Sequence, residues 1–131
     1  MKFNHFSSPV SAQIPGFTIK WAEIGDFVGA YEACAAGVNH EKEFTVTPDN
    51  ACPVEHLIYV ISGTARVEYL DGEPEMLEAG DLAWVRKGHR PYVMTDFEMI
   101  EFSRKSEHNG MIADLVEAGL FPPDSGPRPA G

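Results

Sequence analysis

The sequence predicts an all-β barrel or sandwich closed by one short C-terminal helix. Three observations carry this. Short apolar or alternating segments recur between turn signals at the spacing of about eight to twelve residues that marks such folds. Glycine (12) and proline (10) supply about a sixth of the 131 residues, which suits many turns rather than long helices. Only near residues 110–119 do apolar residues fall at helical spacing, with Ile112, Leu115 and Val116 on one face. There Asn109-Gly110 reads as the start, Gly119 as the stop, and Pro122 follows closely. With 44% hydrophobic residues, the chain is long enough for one core and one domain.

Each element follows from local pattern. Residues 1–16 hold Ser7, Ser8, Pro9, Pro15 and Gly16 without a period, and read as an arm. Phe17-Thr18-Ile19-Lys20-Trp21 alternates as a strand does. Residues 27–36 are small and apolar between Gly25 and Gly37, consistent with a buried strand that includes Cys34. Phe44-Thr45-Val46-Thr47 is β-rich and stops at Pro48-Asp49-Asn50. Residues 56–62 are rich in Ile, Val and Tyr, and 65–69 alternate. Asp71-Gly72 marks a hairpin and Gly80-Asp81 a further turn. Residues 82–85, 92–94 and 97–102 complete the strands, so that 17–121 form the barrel and helix. Residues 122–131, with four prolines and two glycines, read as a flexible tail. Trp21, Trp84 and Phe97 are candidates for the core or a pocket wall.

Charge narrows the partners. The formal net charge is −10, which repels a phosphate backbone and argues against nucleic acid and anionic membrane. No apolar run approaches the length a bilayer needs. Two cysteines are too few for a secreted disulfide framework, and the expected setting is cytoplasmic. A Cys34–Cys52 disulfide is left open.

The segment from Asn50 to Phe102 resembles the cupin family of small jelly-roll, double-stranded β-helix proteins. The residues that carry the resemblance are Glu55-His56-Leu57-Ile58-Tyr59-Val60-Ile61-Ser62-Gly63 and Glu78-Ala79-Gly80-Asp81-Leu82-Ala83-Trp84-Val85-Arg86-Lys87-Gly88. The family's first motif runs His-x-His, then Glu, then Gly; its second runs Gly, then Pro-x-Gly, then His. The glycines and the hairpin between the motifs agree in order and spacing. The resemblance implies a single cupin barrel with the C-terminal helix appended.

The metal ligands that the resemblance would bring are replaced. Aligned on the glycines, His56 stands at the family's Glu, Asn50 and Cys52 at its two leading histidines, Arg86 at its Pro and Pro91 at its last His. The iron or manganese site of three histidines and a glutamate is therefore not carried over, which argues against dioxygenase chemistry. Cys52 and His56 nevertheless occupy positions that face the interior in the family, and His89 lies two residues before the last, on the same face of an extended segment. Cys52, His56 and His89 are the candidate metal ligands, with Asn50 at the edge. One thiolate and two imidazoles suit zinc. The expected cofactor is thus none or a single divalent metal, zinc foremost.

Without metal, His56 is the candidate general base, because its ordinary pKa lies near neutrality. Tyr59 is the candidate catalytic donor beside it, with Tyr92 a further one; the competing reading makes Tyr59 an outward packing residue. Period two from His56 sends Ile58 and Val60 inward as the apolar floor of a ligand pocket. Arg86, Lys87 and Arg90 form the basic cluster of an acidic chain, and Arg86 and Arg90 are candidate binders of an anionic ligand group, or else a solvated turn.

Two function classes remain open, with a structural or accessory protein whose barrel serves dimerisation as a weaker third. One is a binding module that holds a small molecule in the barrel. The other is a lyase or isomerase, zinc-dependent or metal-independent, acting on a small polar metabolite. The expected assembly is a homodimer, with the N-terminal arm and the helix as contributors.

Overall fold

The computed structural model describes residues 1–131, and it is a two-sheet antiparallel jelly roll with one C-terminal helix. The strands are β1 (Ala12–Ile14), β2 (Phe17–Ile24), β3 (Phe27–Cys34), β4 (His56–Ser62), β5 (Thr64–Tyr69), β6 (Gly72–Glu78), β7 (Leu82–Val85), β8 (His89–Val93) and β9 (Phe97–Arg104), followed by α1 (Lys105–Glu117). The larger sheet runs β1-β2-β3-β9-β4-β7 and the smaller β6-β5-β8. Between them lies one core that includes Phe17, Ile19, Trp21, Val60, Val67 and Phe97, joined by Ile112 and Leu115 of the helix.

Alternation along β4 sets the inside of the barrel. His56, Ile58 and Val60 are buried, while Leu57, Tyr59 and Ile61 are exposed. β7 pairs with β4 so that Val85 faces His56 and Trp84 faces Leu57. Val85 is therefore inside and Trp84 outside, at 56% exposure, which corrects the expectation of Trp84 as a core or pocket residue.

Several other expectations change. Residues 44–47 do not form a strand; Glu43–Val46 and Pro48–Asn50 are two 3-10 turns. Thr45 Oγ1 donates to Lys42 O at 2.6 Å and Thr47 Oγ1 to Phe44 O at 2.9 Å, local bonds that compete with strand pairing. The helix begins at Lys105, directly after β9, and carries Gly110 within it. Its buried residues His108, Ile112 and Leu115 hold it down, and that packing outweighs the cost of about 1 kcal/mol for an interior glycine. At the far end Gly119 takes φ +74° and Leu120 N donates to Leu115 O at 2.9 Å, a Schellman-type close.

The ends are tied down as well. Residues 1–16 are not all irregular: Ala12–Ile14 is the edge strand β1, and His5 stacks on Tyr31 at 4.4 Å. Residues 122–131 are not a free tail. Trp21 Nε1 donates to Ser125 O at 2.8 Å, Glu23 N to Arg128 O at 2.8 Å and Ala130 N to Glu23 O at 2.9 Å, so the segment runs beside β2. Cys34 and Cys52 are both free thiols, which removes the disulfide.

Gly63, between β4 and β5, shows why that turn needs glycine. Its φ is +86°, and a Cβ there would lie 2.0 Å from Asp96 O. Gly80 has a similar φ of +92° but open space around it. Gly63→Ala is expected to destabilise by about 3 kcal/mol and Gly80→Ala by about 1 kcal/mol in denaturant unfolding, since only the first adds a backbone clash to the left-handed strain. Equal costs would contradict the close approach.

Candidate functional site

The site is assembled by a backbone bridge. Cys52 N donates to His89 O at 2.9 Å, and Gly88 N donates to Cys52 O at 2.8 Å. Directly opposed residues of an antiparallel pair point to the same face, so both side chains enter the barrel. His56 enters from β4, two residues before Ile58. The donor atoms of Cys52, His56 and His89 all lie within 4.8 Å of one another, and all three residues are buried.

Hydrogen bonds fix the ring orientations. His56 Nδ1 lies 2.7 Å from Ser103 Oγ and 3.3 Å from Glu101 Oε1, while its Nε2 lies 3.4 Å from Cys52 Sγ. Two oxygens beside Nδ1 favour the proton there and leave the Nε2 lone pair facing the thiol. His89 Nδ1 donates to Arg86 O at 2.6 Å, which leaves its Nε2 as the lone-pair nitrogen. The two rings sit edge to face, 5.1 Å between centroids.

Burial governs the protonation states. It pushes His56 well below the usual imidazole range, with His89 and His108 adding to the effect. His89 falls to about 4 through burial, partly opposed by its bond to the Arg86 carbonyl. Burial also drives the Cys52 thiol upward, so it is protonated at neutral pH. Such neutral imidazoles can accept protons or bind metal.

The cavity around these groups has a volume of about 110 Å³ and a mostly apolar wall that includes Ile58, Val67, Leu77 and Val85. Four of the five histidines line it, His40, His56, His89 and His108. Two carboxyl groups do so from inward positions of β3 and β9. Glu32 and Glu101 are both buried and hydrogen-bonded to each other. Burial raises both, Glu101 to about 7.

The remaining sequence candidates lie elsewhere. Tyr59 points outward and is 46% exposed, because it is an odd number of residues from His56 on the same strand; it is not a donor within the cavity. Tyr92 also faces away, under the guanidinium of Arg66. Val60 is fully buried in the core but does not line the cavity, whereas Ile58 does. Asn50 is exposed at φ +53°, in a turn outside the cavity. Arg90 is committed to that turn: Nε donates to Asn50 O at 2.8 Å and Nη2 to Asp49 O at 3.0 Å. Arg86 pairs with Asp71 at 3.2 Å and covers the Tyr69 ring at 4.1 Å. Neither arginine lines the cavity, so the expected anion-binding rim is instead a pair of structural clamps.

Glu32, Glu101, His108 and Met111 were not among the sequence candidates. Glu32 had a signal, since a glutamate two residues before Cys34 in an otherwise small, apolar strand shares the inward face. His108 had none, because it precedes the expected helix start, whereas Met111, four residues before Leu115 on the apolar face, carried the signal of an ordinary core residue.

No family model matches the chain, and neither does any curated protein. Solved structures do. An RmlC-like cupin from Shewanella frigidimarina NCIMB 400 is 17% identical with a TM-score of 0.57, over 79% of this chain and 87% of that one. Ectoine synthase from P. lautus is 15% identical with a TM-score of 0.54, over 70% and 66%. KdgF from Halomonas sp. is 23% identical with a TM-score of 0.52, over 71% and 86%. The protein has the cupin fold, as the two motifs implied.

His108 provides a pH test that is separate from the Cys52 group. Burial lowers its pKa to about 4, against the bond to Asn109 Oδ1 that raises it. Between about pH 6.5 and pH 4 the unfolded chain takes up a proton here that the folded chain refuses, so stability falls as pH falls through that window. His108→Gln should remove this contribution. Relative to the parent, the variant should gain about 2–3 kcal/mol between pH 7 and pH 4.5 in denaturant unfolding. A difference that stays constant with pH would show His108 to be freely protonated in the fold.

Proposed function

We propose that this protein is a small-molecule-binding cupin that holds its ligand in the barrel interior, against a single metal ion bound by Cys52, His56 and His89. The observation that carries the reading is the convergence of three buried donors within 4.8 Å, on the wall of a mostly apolar cavity. One sulfur and two nitrogens suit a borderline-soft ion; of the divalent ions, zinc fits them, with a fourth position for water or a ligand group. Binding releases the Cys52 proton. Ser103 and Glu101 hold His56 in the orientation that presents Nε2. Ile58, Val67 and Val85 offer surface to the carbon skeleton of a ligand, and a cavity of about 110 Å³ suits a molecule of few heavy atoms.

The alternative, a lyase or isomerase, draws support from the Glu32–Glu101 pair beside His56, since buried carboxyl groups next to a neutral imidazole can pass a proton. Turnover that survives chelation of metal yet is lost in His56→Ala would favour it. No helix is long and apolar enough to cross a membrane. The two free, buried thiols support a cytoplasmic setting.

For assembly we propose a homodimer through the outer face of β9, β4 and β7. Leu57 lies there between Trp84 and Phe102, and Tyr59 beside Leu82, all exposed. Trp84→Glu should convert a dimer to a monomer in light scattering at micromolar concentration. A parent protein that is already monomeric there would overturn the assembly.

The function is tested by metal content and affinity. Protein purified without an affinity tag should carry about one metal ion per chain. His56→Ala and Cys52→Ser should each weaken zinc binding by about 100-fold or more in a competition titration, while Tyr59→Phe leaves it unchanged. Thermal shift against small polar metabolites should then show stabilisation in the parent that His56→Ala reduces. Unaltered zinc affinity in the first two variants would contradict the site.

A further inference from the structure

Beside the three donors lies a second sulfur. Met111, on α1, brings its Sδ to 3.8 Å from Cys52 Sγ, and that sulfur lies 3.4 Å from His56 Nε2. Two sulfurs bound tetrahedrally at about 2.3 Å from one metal sit about 3.8 Å apart, and a sulfur and a nitrogen about 3.5 Å apart. Both separations already match. Met111 also lines the cavity and packs against Phe44, Cys52 and Val54, so its position is held by side chains from the segment that carries Cys52.

We propose that Met111 is the fourth donor, taking the position that zinc would leave to water or a ligand group, and that the site selects copper in the monovalent state. The inference rests on the reading that Cys52, His56 and His89 hold a metal, and it adds the identity of the ion. A thioether is a soft, uncharged donor, and soft thiolate and thioether ligands select Cu(I) where carboxylate and water suit harder ions. The charge count points the same way. One thiolate with two neutral imidazoles and a thioether carries a single negative charge, which a monovalent ion cancels. A divalent ion would need a second negative charge, for which Glu101 Oε1 stands 3.3 Å from His56 Nδ1, so the four donors by themselves balance only a monovalent ion. Binding is an exchange without electron transfer: the Cys52 S–H bond breaks, the proton leaves to solvent, and the sulfur lone pair bonds to copper that arrives already reduced.

The structure also gives α1 a part in binding. Cys52, His56 and His89 belong to the barrel and the loop leading into it, whereas Met111 belongs to the helix that follows the last strand. Cu(I) would therefore join α1 to the barrel, while zinc, held by the three barrel-side donors, would not need the helix.

The test is an anaerobic Cu(I) titration of the full chain against a chromophoric Cu(I) chelator, run beside a zinc competition titration, on the parent, Met111→Leu and Cys52→Ser. Leucine conserves volume, so the helix should remain packed, and circular dichroism with thermal melting checks this. Met111→Leu is expected to weaken Cu(I) by about 10-fold or more and zinc by less than about 3-fold, and Cys52→Ser to weaken both. Copper-edge X-ray absorption of the loaded protein should count two sulfur neighbours in the parent and one in Met111→Leu. Zinc binding that depends on Cys52, combined with Cu(I) affinity and sulfur count unchanged by Met111→Leu, would overturn the copper assignment and leave the metal site standing. Failure of both ions to bind in a Cys52-dependent way would overturn the site and the assignment together.

Discussion

The antiparallel bridge between Cys52 and His89 is the constraint on which the site depends. Two backbone hydrogen bonds, at 2.9 and 2.8 Å, return the long connection after β3 to the barrel and set these residues opposite one another. Without that bridge the thiol would belong to a loop with no fixed relation to either histidine. With it, the inward direction of His89 determines that of Cys52, and the alternation of β4 supplies His56 as the third member. Arg90 reinforces the same connection by holding the carbonyls of Asp49 and Asn50, which explains a basic residue at a site where no anion is needed.

Polarity inside the barrel is the second organising feature. Three histidines and two glutamates are buried, together with two thiols. Charging any of them alone in that setting is costly, and the molecule resolves this through neutrality: burial lowers the imidazoles and raises the carboxyl groups and thiols. The result is a set of lone pairs held with little formal charge, Glu101 at about 7 being the group that ionises near neutral pH. A cation entering the set meets donors with little need to discard hydrogen-bonded ions first, apart from the single thiol proton. This arrangement is more exacting than a packed apolar interior, where buried polar groups would have been replaced by aliphatic ones at no loss of stability.

Much of this was legible in the sequence, and the parts that were not have physical reasons. Most strands between Phe17 and Phe102 followed from alternation and turns, though Gly72–Glu78 was marked only by its hairpin turn and β8 begins at His89 rather than Tyr92, and the cupin fold followed from two glycine-anchored motifs. The register of β4 followed from Gly63, whose tight approach to Asp96 pins the strand end. Cys52, His56 and His89 were proposed together and are found together. Residues 44–47 misled because threonine hydroxyls bond local carbonyls, which β propensity does not register. The arginines misled because charge near a candidate site says nothing of which partner a side chain finds; Asp71 and the 48–50 turn claimed them. Glu32 and Glu101 are brought together by the pairing of β3 with β9, which sequence alone does not supply. His108 depended on where α1 begins, and that was set by packing of His108 and Ile112 rather than by Asn109-Gly110; Met111 lay on the expected helix face but reads as core there.

The most direct test of the central claim, that Cys52, His56 and His89 act as one metal-binding group, is cadmium-113 NMR of the protein loaded with one equivalent of cadmium. The account expects a single resonance at the position of a site with one thiolate and two imidazoles, coupled to the ring protons of His56 and His89 and absent in Cys52→Ser. A resonance in the all-oxygen range, or one that persists unchanged in Cys52→Ser, would contradict it.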